Sequence, residues 1–493
     1  MKRKTFATLL ILVFLAVLMI WSFGSSAANN AGRRTPVPVP DSEPNQIFAD
    51  EDQDVDADLG KHAGRIDREE YLRARDEYLA RKRGIEPGMP FNPELRSEAI
   101  DQMERQEKGR RLESLVSGSG LTPTTGGAWT AIGPAPLPNG QGTAATTGRV
   151  TSIAVDPTNA NKVYLGTAQG GVWRSLDGGA TWTAIFDSAD SLAIGAVAVA
   201  PSQPSVLYVG TGEFNQSGDC FFGVGLYRIE TVDTTPSLVG PINPQKTFNS
   251  LTYKIFEGRS ITKILVHPAN PDIIFVSTGR GASGSGANGK GTVPTIAQRG
   301  VFRSTNATSA VGSVDFEKLN VGGITDADTP DMVMEPGNPD NLIVASLGSG
   351  IYRTTNASAA TPSFTQTLSL GGNVRVSLAI NKIGSSVTVY AATSETPTVT
   401  PECATQNGSL AGGAIRKSTD GGATWSGQLA GGQGFCAAQC FYDMPIAVDP
   451  NDANVVFVGG QVNITVGQSP NQTQCGRLIG KSTDGGTSFV FDS

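Results

Sequence analysis

One unit recurs along the chain from about residue 128 to residue 493. Each copy has a strand text such as "IAVDP" (153–157), a turn rich in Asn and Asp, and a second strand such as "VYLGT" (163–167). A Gly-containing loop, a third strand such as "GVWRS" (171–175), an Asp-Gly-Gly turn and a fourth strand follow. Six copies are recognisable, and a repeat at such a period constrains the fold more than any other feature of this sequence.

Four short strands in a unit of roughly 40 to 60 residues are the format of a β-propeller blade. The 60 Gly, 29 Pro and 17% charged residues suit short strands joined by tight turns. We therefore predict an all-β fold, a β-propeller of six to seven four-stranded blades over 128–493. The string "AWTAI" (128–132) repeats the fourth-strand text "TWTAI" (181–185) without strands of its own before it. This predicts either six blades with a loose extra strand or, as we prefer, a chain truncated before a seventh blade.

The chain ahead of the repeats divides into four segments. Residues 1–28 combine a basic start, an apolar run and the small residues "SSAA", which predicts a signal peptide, with an uncleaved anchor as the alternative. Residues 29–65 are Pro-rich and then acidic and predict a disordered tether. Residues 66–116 predict two charged helices, and 117–127 a flexible linker. The expected location is secreted, periplasmic or at the cell surface.

Charge and histidine content argue against several functions. The formal net charge is -7 and no basic face is evident, so we expect no nucleic-acid partner. The two histidines, His62 and His267, lie far apart in the chain, which argues against histidine-rich metal sites and Ser-His-Asp catalysis. We predict no cofactor and no metal, and contact with a membrane only through an N-terminal anchor.

The Asp-Gly-Gly turn follows the pattern Ser-x-Asp-x-Gly-x-Thr-Trp. A short Asp side chain accepts hydrogen bonds from nearby backbone N–H groups, and Gly supplies a positive φ. Asn takes the Asp position in "STN" (304–306) and "TTN" (354–356), an exchange that a catalytic acid would not tolerate. The prediction is a structural turn in three copies: Ser175, Asp177, Gly179 and Trp182; Ser418, Asp420, Gly422 and Trp425; and Ser482, Asp484, Gly486 and Phe489.

This hairpin resembles the Asp-box, or BNR, repeat of sialidases, sortilin-type propellers, xyloglucanases and photosystem II assembly factors. The strings "GRVTSIAVDP", "GTGEFNQSGDCFFGVGLYR" and "FYDMPIAVDP" are similar to blades of exported bacterial propellers of this group. The resemblance implies the fold and not an activity, because the group contains enzymes and non-enzymes. The nearest string to the Phe/Tyr-Arg-Ile-Pro motif of sialidases is "YRIE" (227–230), which lacks the Pro.

The strand order places function on one side of the ring. Strands of a blade alternate in direction, so the Asp-Gly-Gly hairpins lie on one face, and the loops between second and third strands lie on the other. The long insertions fall in these second loops, and long loops on a rigid scaffold commonly carry function. Their carboxylates, arginines and aromatics suit carbohydrate or peptide recognition. The candidate ligand-binding residues are Arg149, Glu213, Phe214, Asp219, Phe222, Arg259, Arg280, Glu395, Tyr442 and Asp443.

The five cysteines are expected on the same face. Cys403, Cys436, Cys440 and Cys475 come from adjacent repeats, which predicts two disulfides among them in an exported protein. Three pairings are open, and Cys220 would be the odd thiol. A Cys-x-x-x-Cys metal site is the weaker alternative.

We expect an exported β-propeller that presents long loops on one face to a carbohydrate or protein ligand. One alternative is a glycoside hydrolase of the xyloglucanase or sialidase type, which needs two carboxylates across a groove, and for sialidases three arginines and a nucleophilic Tyr. A second alternative is sortilin-like peptide binding or an assembly-factor role. Catalytic residues cannot be assigned from the sequence, and a non-enzymatic role is preferred.

Overall fold

The computed structural model describes most of the chain from Gly148 onward. The described ranges are 148–215, 220–248, 250–281, 297–398, 412–436, 440–460 and 479–492, with a few short stretches outside them. The predicted signal peptide, tether and linker lie outside the described residues, as does the "AWTAI" string. The described residues between 98 and 108 are helical, within the segment predicted to be so. None of the helices in the described part is long and apolar enough to cross a bilayer.

Six antiparallel sheets, each with its strands in chain order, follow one another from Val150. They confirm the predicted all-β propeller, here with six blades. Blades 1 to 3 consist of Val150–Asp156, Asn159–Thr167, Val172–Ser175 and Thr183–Ala184; Ile194–Val199, Leu207–Thr211, Leu226–Glu230 and Ser237–Ile242; and Arg259–Val266, Ile274–Arg280, Gly300–Ser304 and Glu317–Lys318. Blades 4 to 6 consist of Asp331–Glu335, Asn338–Ser346, Gly350–Thr354 and Thr365–Ser369; Val376–Ile383, Ser386–Thr393 and Ala414–Ser418; and Ile446–Val448, Val456–Gly459, Ile479–Ser482 and Val490–Asp492.

Short elements complete the description. In blade 5, residues 426–429 take the place of the fourth strand. The Ser426 N–H donates to Lys417 O (2.8 Å) and the Leu429 N–H donates to Ile415 O (2.8 Å), both on the third strand. Among the described residues, three two-stranded ribbons and two 3-10 turns lie outside the strands of the blades. They are Leu137–Pro138 with Ala145–Thr146, Gln245–Phe248 with Leu251–Lys254, Thr405–Gln406 with Ser409–Leu410, and the turns Val311–Ser313 and Ala430–Gly432.

Each pair of consecutive blades shares one buried apolar cluster. The strands between two neighbours are therefore buried on both faces, as in Leu207–Thr211, where all five residues are buried. The five clusters, in blade order, are represented by Tyr164 and Ile194, Tyr208 and Phe302, Phe275 and Leu342, Ile343 and Val389, and Tyr390 and Val456.

The first and last blades each keep one apolar face exposed. Ile153 of blade 1 is 64% exposed, whereas its neighbour Ala154 packs into the cluster with blade 2. Phe457 of blade 6 is 37% exposed, although Val456 and Val458 on either side are buried against blade 5. Adjacent residues of a strand point to opposite faces, so these side chains lie on the faces away from the neighbouring blades. In the described ranges no buried apolar cluster joins blade 6 to blade 1.

The Asp-Gly-Gly hairpins are held by their own side chains. Asp177 accepts hydrogen bonds from the Thr181 N–H (2.8 Å), the Thr181 hydroxyl (2.6 Å) and the Ser175 hydroxyl (2.8 Å). Gly179, at φ 97°, donates its N–H to Ser175 Oγ (2.8 Å). Asp420 and Asp484 make the equivalent bonds to Ser418 and Thr424 and to Ser482 and Ser488.

The hairpins of blades 3 and 4 use Asn for the same turn. Asn306 accepts the Ser304 hydroxyl (3.1 Å) and the Asp315 N–H (3.0 Å). Asn356 accepts the Thr354 hydroxyl (2.7 Å) and the Ser363 N–H (3.0 Å). The aromatic that follows packs inward in two of the three Asp copies: Trp425 lies against the cluster of blades 4 and 5, and Phe489 against that of blades 5 and 6. Trp182, on blade 1, is 36% exposed.

The carboxylates of these hairpins should make the free energy of unfolding fall at low pH. Hydrogen bonds from Thr181 lower the pKa of Asp177 to about 2, and similar bonds outweigh burial to hold the pKa values of Asp420 and Asp484 at about 2, from an ordinary 3.8. Because the folded-state pKa of each carboxyl is lowered, the stabilisation that these three carboxylates contribute is fully present above pH 4. It is lost as the pH falls towards 2. We expect the urea midpoint to fall over this range.

A matched pair of variants tests whether the Asp carboxylate stabilises the hairpin turn. Asp420→Asn keeps the acceptor used in blades 3 and 4, so it should cost no more than about 1 kcal/mol at pH 7 and reduce the fall on acidification. Asp187→Asn changes an exposed carboxylate outside the hairpins and should leave the pH profile unchanged. Equal profiles for Asp420→Asn and the parent protein would contradict a stabilising carboxylate at this turn.

Candidate functional site

The first strands of all six blades surround a central channel with a cavity of about 640 Å³. The first strands of blades 1 and 3 contain a β-bulge, and the bulged residues bind the next blade. Thr151 donates its hydroxyl proton to Ile194 O (2.6 Å), and Thr262 donates to Thr329 O (2.5 Å). Each blade contributes to the channel wall; one residue from each, in blade order, is as follows: Thr151, Gly195, Thr262, Asp331, Ser377 and Ile446.

Glu213 is the centre of a polar cluster at the mouth of this channel, on the face that carries the long loops. It follows the second strand of blade 2, and its side chain is 1% exposed. Its carboxylate accepts hydrogen bonds from Arg149 Nη2 (2.5 Å), Tyr442 OH (2.8 Å) and Asn215 Nδ2 (3.0 Å). The Arg149 guanidinium also lies 5.3 Å from the centroid of the Tyr442 ring. One carboxylate thus joins the entrances of blades 1 and 6 to blade 2.

A glycine sets the direction of the loop that carries Glu213. Gly212 has φ 91°, and a Cβ at this position would lie 2.5 Å from the Gly223 nitrogen and 2.7 Å from Ser260 Cα. Only glycine combines this conformation with so close an approach of two backbone segments. The chain therefore turns after the strand and directs Glu213 to the channel.

Arg375 crosses the same mouth from blade 5. Its Nη1 donates to Phe441 O (2.5 Å), its Nη2 donates to Asn215 Oδ1 (2.8 Å), and its guanidinium lies 5.9 Å from the Phe214 ring centroid. Within the described ranges Nε has no acceptor, and no carboxylate forms an ion pair with Arg375. Burial lowers the pKa of Arg375. The channel-mouth cluster is defined here as Arg149, Glu213, Phe214, Asn215, Arg375, Tyr442 and Asp443.

Burial also changes the protonation of two members of the cluster. Burial, assisted by the negative charge of Glu213, raises the pKa of Tyr442, so its hydroxyl keeps its proton and donates it to Glu213. Burial raises the pKa of Asp443 above 3.8, although the nearby Arg375 and Arg149 act in the opposite direction. Asp443 lines the channel and has no hydrogen bond or ion pair with the described residues.

Five of the ten candidate residues meet in this cluster: Arg149, Glu213, Phe214, Tyr442 and Asp443. Four others have different surroundings. Arg259 donates to Ala297 O (2.8 Å), and burial lowers its pKa to about 10. Arg280 pairs with Asp328 (2.7 Å), Glu395 pairs with Arg416 (2.7 Å), and Phe222 is buried against Phe221 at 4.4 Å between ring centroids. Asp219 lies outside the described residues.

Sequence reasoning missed Arg375 and Asn215. A signal for Arg375 exists, because Arg149, Arg259 and Arg375 each stand immediately before or at the start of the first strand of a blade. Asn215 follows Glu213 by two residues in the same insertion. Its role depends on contact with blade 5 across the channel, which no local pattern shows.

A disulfide lies in the connection that leads to Tyr442. Cys436 and Cys440 are bonded, with an S–S distance of 2.12 Å. The bond confirms that cysteines on this face form a disulfide and selects one pair among those left open by the sequence. Cys403 and Cys475 lie outside the described residues, and Cys220 is buried beside the cluster. The disulfide restrains the backbone two residues before Tyr442.

The protein is a six-bladed β-propeller with a polar cluster at one mouth of its channel. No protein-family model matches the sequence. No curated protein matches it either.

Solved propeller structures are similar to it at low identity. A GH74 xyloglucanase from Xanthomonas campestris is 16% identical, with a TM-score of 0.43 over 70% of this chain and 45% of the xyloglucanase. An ancestral GH74 enzyme is 17% identical, with a TM-score of 0.42 over 68% and 38%. YCF48 bound to D1 peptide is 13% identical, with a TM-score of 0.38 over 70% and 81%. The chain spans less than half the length of both GH74 proteins, and identities this low concern the fold alone.

Proposed function

We propose that the protein is a ligand-binding propeller whose binding site is the channel-mouth cluster. The observation that carries this proposal is the convergence of side chains from four blades on a cavity of about 640 Å³. Guanidinium, carboxyl, phenol and amide groups there lie beside a Phe ring, and cavities of this size with a few convergent polar groups are typical of small-ligand sites. The ligand would be a carbohydrate or a group presented by a protein.

The electrostatics of the cluster support binding rather than catalysis. Glu213 accepts from Arg149, Asn215 and Tyr442, so its carboxylate is occupied and poorly suited to act as a base. The raised pKa of Tyr442 makes its phenolate hard to form. An exported location, as predicted from the N-terminal segment, would fit a protein that binds a ligand outside the cell.

The second candidate function is a glycoside hydrolase of the sialidase type. The observation in its favour is the Tyr442–Glu213 hydrogen bond beside Arg149 and Arg375, with Asp443 nearby as a carboxyl of raised pKa. A sialidase of this kind would need three convergent arginines. Among the described residues two lie in the cluster, and Arg259 bonds to Ala297 O instead.

A panel experiment separates the two functions. The full chain is incubated with neutral, uronate-bearing and sialylated glycans and with peptides, while binding is followed by calorimetry and product release by mass spectrometry. We expect binding without release. Release that is abolished by Asp443→Asn would replace the binding proposal with hydrolysis, and a folded protein that neither binds nor releases anything would overturn both.

Tyr442→Phe tests whether the ligand occupies the cluster. The loss of one phenol group at the cavity should weaken ligand binding about tenfold, which corresponds to about 1.4 kcal/mol. The control is Tyr253→Phe, a partly buried tyrosine in the ribbon between blades 2 and 3. Equal affinities for the two variants would show that the ligand binds elsewhere.

A further inference from the structure

Arg375 forms no ion pair with a described residue, in contrast to three other arginines that are half-buried or buried. Arg228 pairs with Glu230 (2.7 Å), Arg416 pairs with Glu395 (2.7 Å), and Arg303 pairs with Glu317. Arg375 has only the neutral acceptors Phe441 O and Asn215 Oδ1 among the described residues, and it lines the channel cavity. The negative charges of Asp331 and Asp443 act on Arg375, but neither carboxylate bonds to its guanidinium. An anionic group in the cavity can therefore form a direct, charge-assisted hydrogen bond with it.

The walls of the cavity indicate what kind of molecule would carry that anion. Thr151, Ser152, Thr262 and Ser377 place hydroxyl groups on the first strands, and Lys263 and Asp331 form an ion pair there (3.1 Å). A hydroxyl group that already donates one hydrogen bond can still accept another through its oxygen, so this wall can bind several hydroxyl groups of a ligand. A cavity enclosed by six strands takes a compact ligand, whereas an extended peptide needs a groove or an open sheet edge.

Resting on the proposed binding function, we infer that the channel mouth binds a sugar acid of the hexuronate class, with the sugar carboxylate on Arg375 and its hydroxyl groups on the channel wall. Nη1 and Nη2 each carry a second N–H besides the one that bonds to Phe441 O or Asn215 Oδ1, and a pair of such donors matches a carboxylate.

Asp443 makes this binding dependent on pH. The charged groups around its carboxyl are Arg375, Arg149 and Glu213 of the cluster, and Lys263 and Asp331 on the wall; Tyr442 beside it stays neutral. Above its raised pKa, Asp443 is an anion in the same cavity as the ligand carboxylate and repels it. The affinity for a sugar acid should therefore be higher at acidic pH, where Asp443 takes up a proton, while that for a neutral sugar stays constant.

The test is calorimetry on the full chain with digalacturonate and, as a neutral probe, galactobiose, at pH 5 and pH 7.5. We expect digalacturonate to bind at least about tenfold more tightly than galactobiose, more so at pH 5. Arg375→Met should abolish the preference for the acid, while Arg353→Met, which alters an arginine bonded to Asn341 outside the cavity, should keep it. Asp443→Asn should make the affinity at pH 7.5 equal to that at pH 5.

The outcomes distinguish this inference from the proposed function. Equal affinities for the two sugars, or a preference that survives in folded Arg375→Met, would overturn the sugar-acid assignment. If Arg375→Met does not fold, the Asp443→Asn pH profile and the comparison of the two sugars still decide. Binding of a neutral glycan that is weakened by Tyr442→Phe would retain the proposed function and reject the inference. An acidic peptide that displaces digalacturonate with higher affinity would overturn the choice of a sugar.

Discussion

We expect Glu213→Gln to lower the free energy of unfolding by about 2–3 kcal/mol and to abolish ligand binding at the channel mouth. The carboxylate is 1% exposed and accepts three hydrogen bonds, one of them in an ion pair with Arg149 at 2.5 Å. An amide cannot accept through its nitrogen, so at least one of the three donors loses its acceptor. Arg149 is 31% exposed and keeps part of its hydration, so the cost stays below that of breaking a fully buried pair.

Urea unfolding and calorimetry measure the two effects. The matched control is Asp315→Asn, in which the carboxylate of an exposed pair with Lys246 is replaced; its side chain is 63% exposed. Exposed pairs contribute about 0–1 kcal/mol, so this variant should resemble the parent protein. If Glu213→Gln and Asp315→Asn unfold at the same urea concentration, the cluster does not hold blades 1, 2 and 6 together.

Phe256→Ala should lower the free energy of unfolding by about 3–5 kcal/mol. The Phe256 side chain is fully buried in the cluster between blades 2 and 3. Its ring packs edge-to-face on Phe302 (5.5 Å) and Phe316 (5.2 Å). Removing the ring forfeits its burial and leaves a cavity that two rigid neighbouring rings cannot fill.

Phe457→Ala is the control for this substitution. Phe457 is 37% exposed on the outer face of blade 6, so its removal should cost about 1 kcal/mol or less. A cost as large as that of Phe256→Ala would mean that this face is covered in solution. Chemical denaturation of the two variants side by side measures the difference, with circular dichroism as the check that both retain the sheet.

Much of the fold follows from local chemistry. The turn at Asp177 depends on hydrogen bonds over two to four residues and on glycines with positive φ, so its sequence pattern is sufficient to predict it. A short apolar run before a turn rich in Asn and Asp likewise predicts strands such as Val150–Asp156. Four such strands per repeat then allow only a few architectures, of which the propeller is one.

The candidate site depends on contacts between residues that are far apart in the sequence, and the repeat pattern does not predict such contacts. The loop position of Glu213 could be read from the sequence, and so could the place of Tyr442 before a first strand. Their contact joins residues 229 apart in the chain, and that of Arg375 with Asn215 joins residues 160 apart. Arg259 and Arg280 fulfil the same sequence criteria and bind Ala297 and Asp328 instead.

The sequence by itself determined the blade, its turns and the face on which the long loops lie, because these depend on interactions between near neighbours in the chain. Only the tertiary structure decided which loop residues meet, since the arrangement of six blades around a channel brings the entrances of blades 1, 5 and 6 onto the loop of blade 2. The same arrangement leaves Arg375 without an ion-pair partner among the described residues, and it is this arrangement in space, not the residue type, that makes it a candidate for binding an anion.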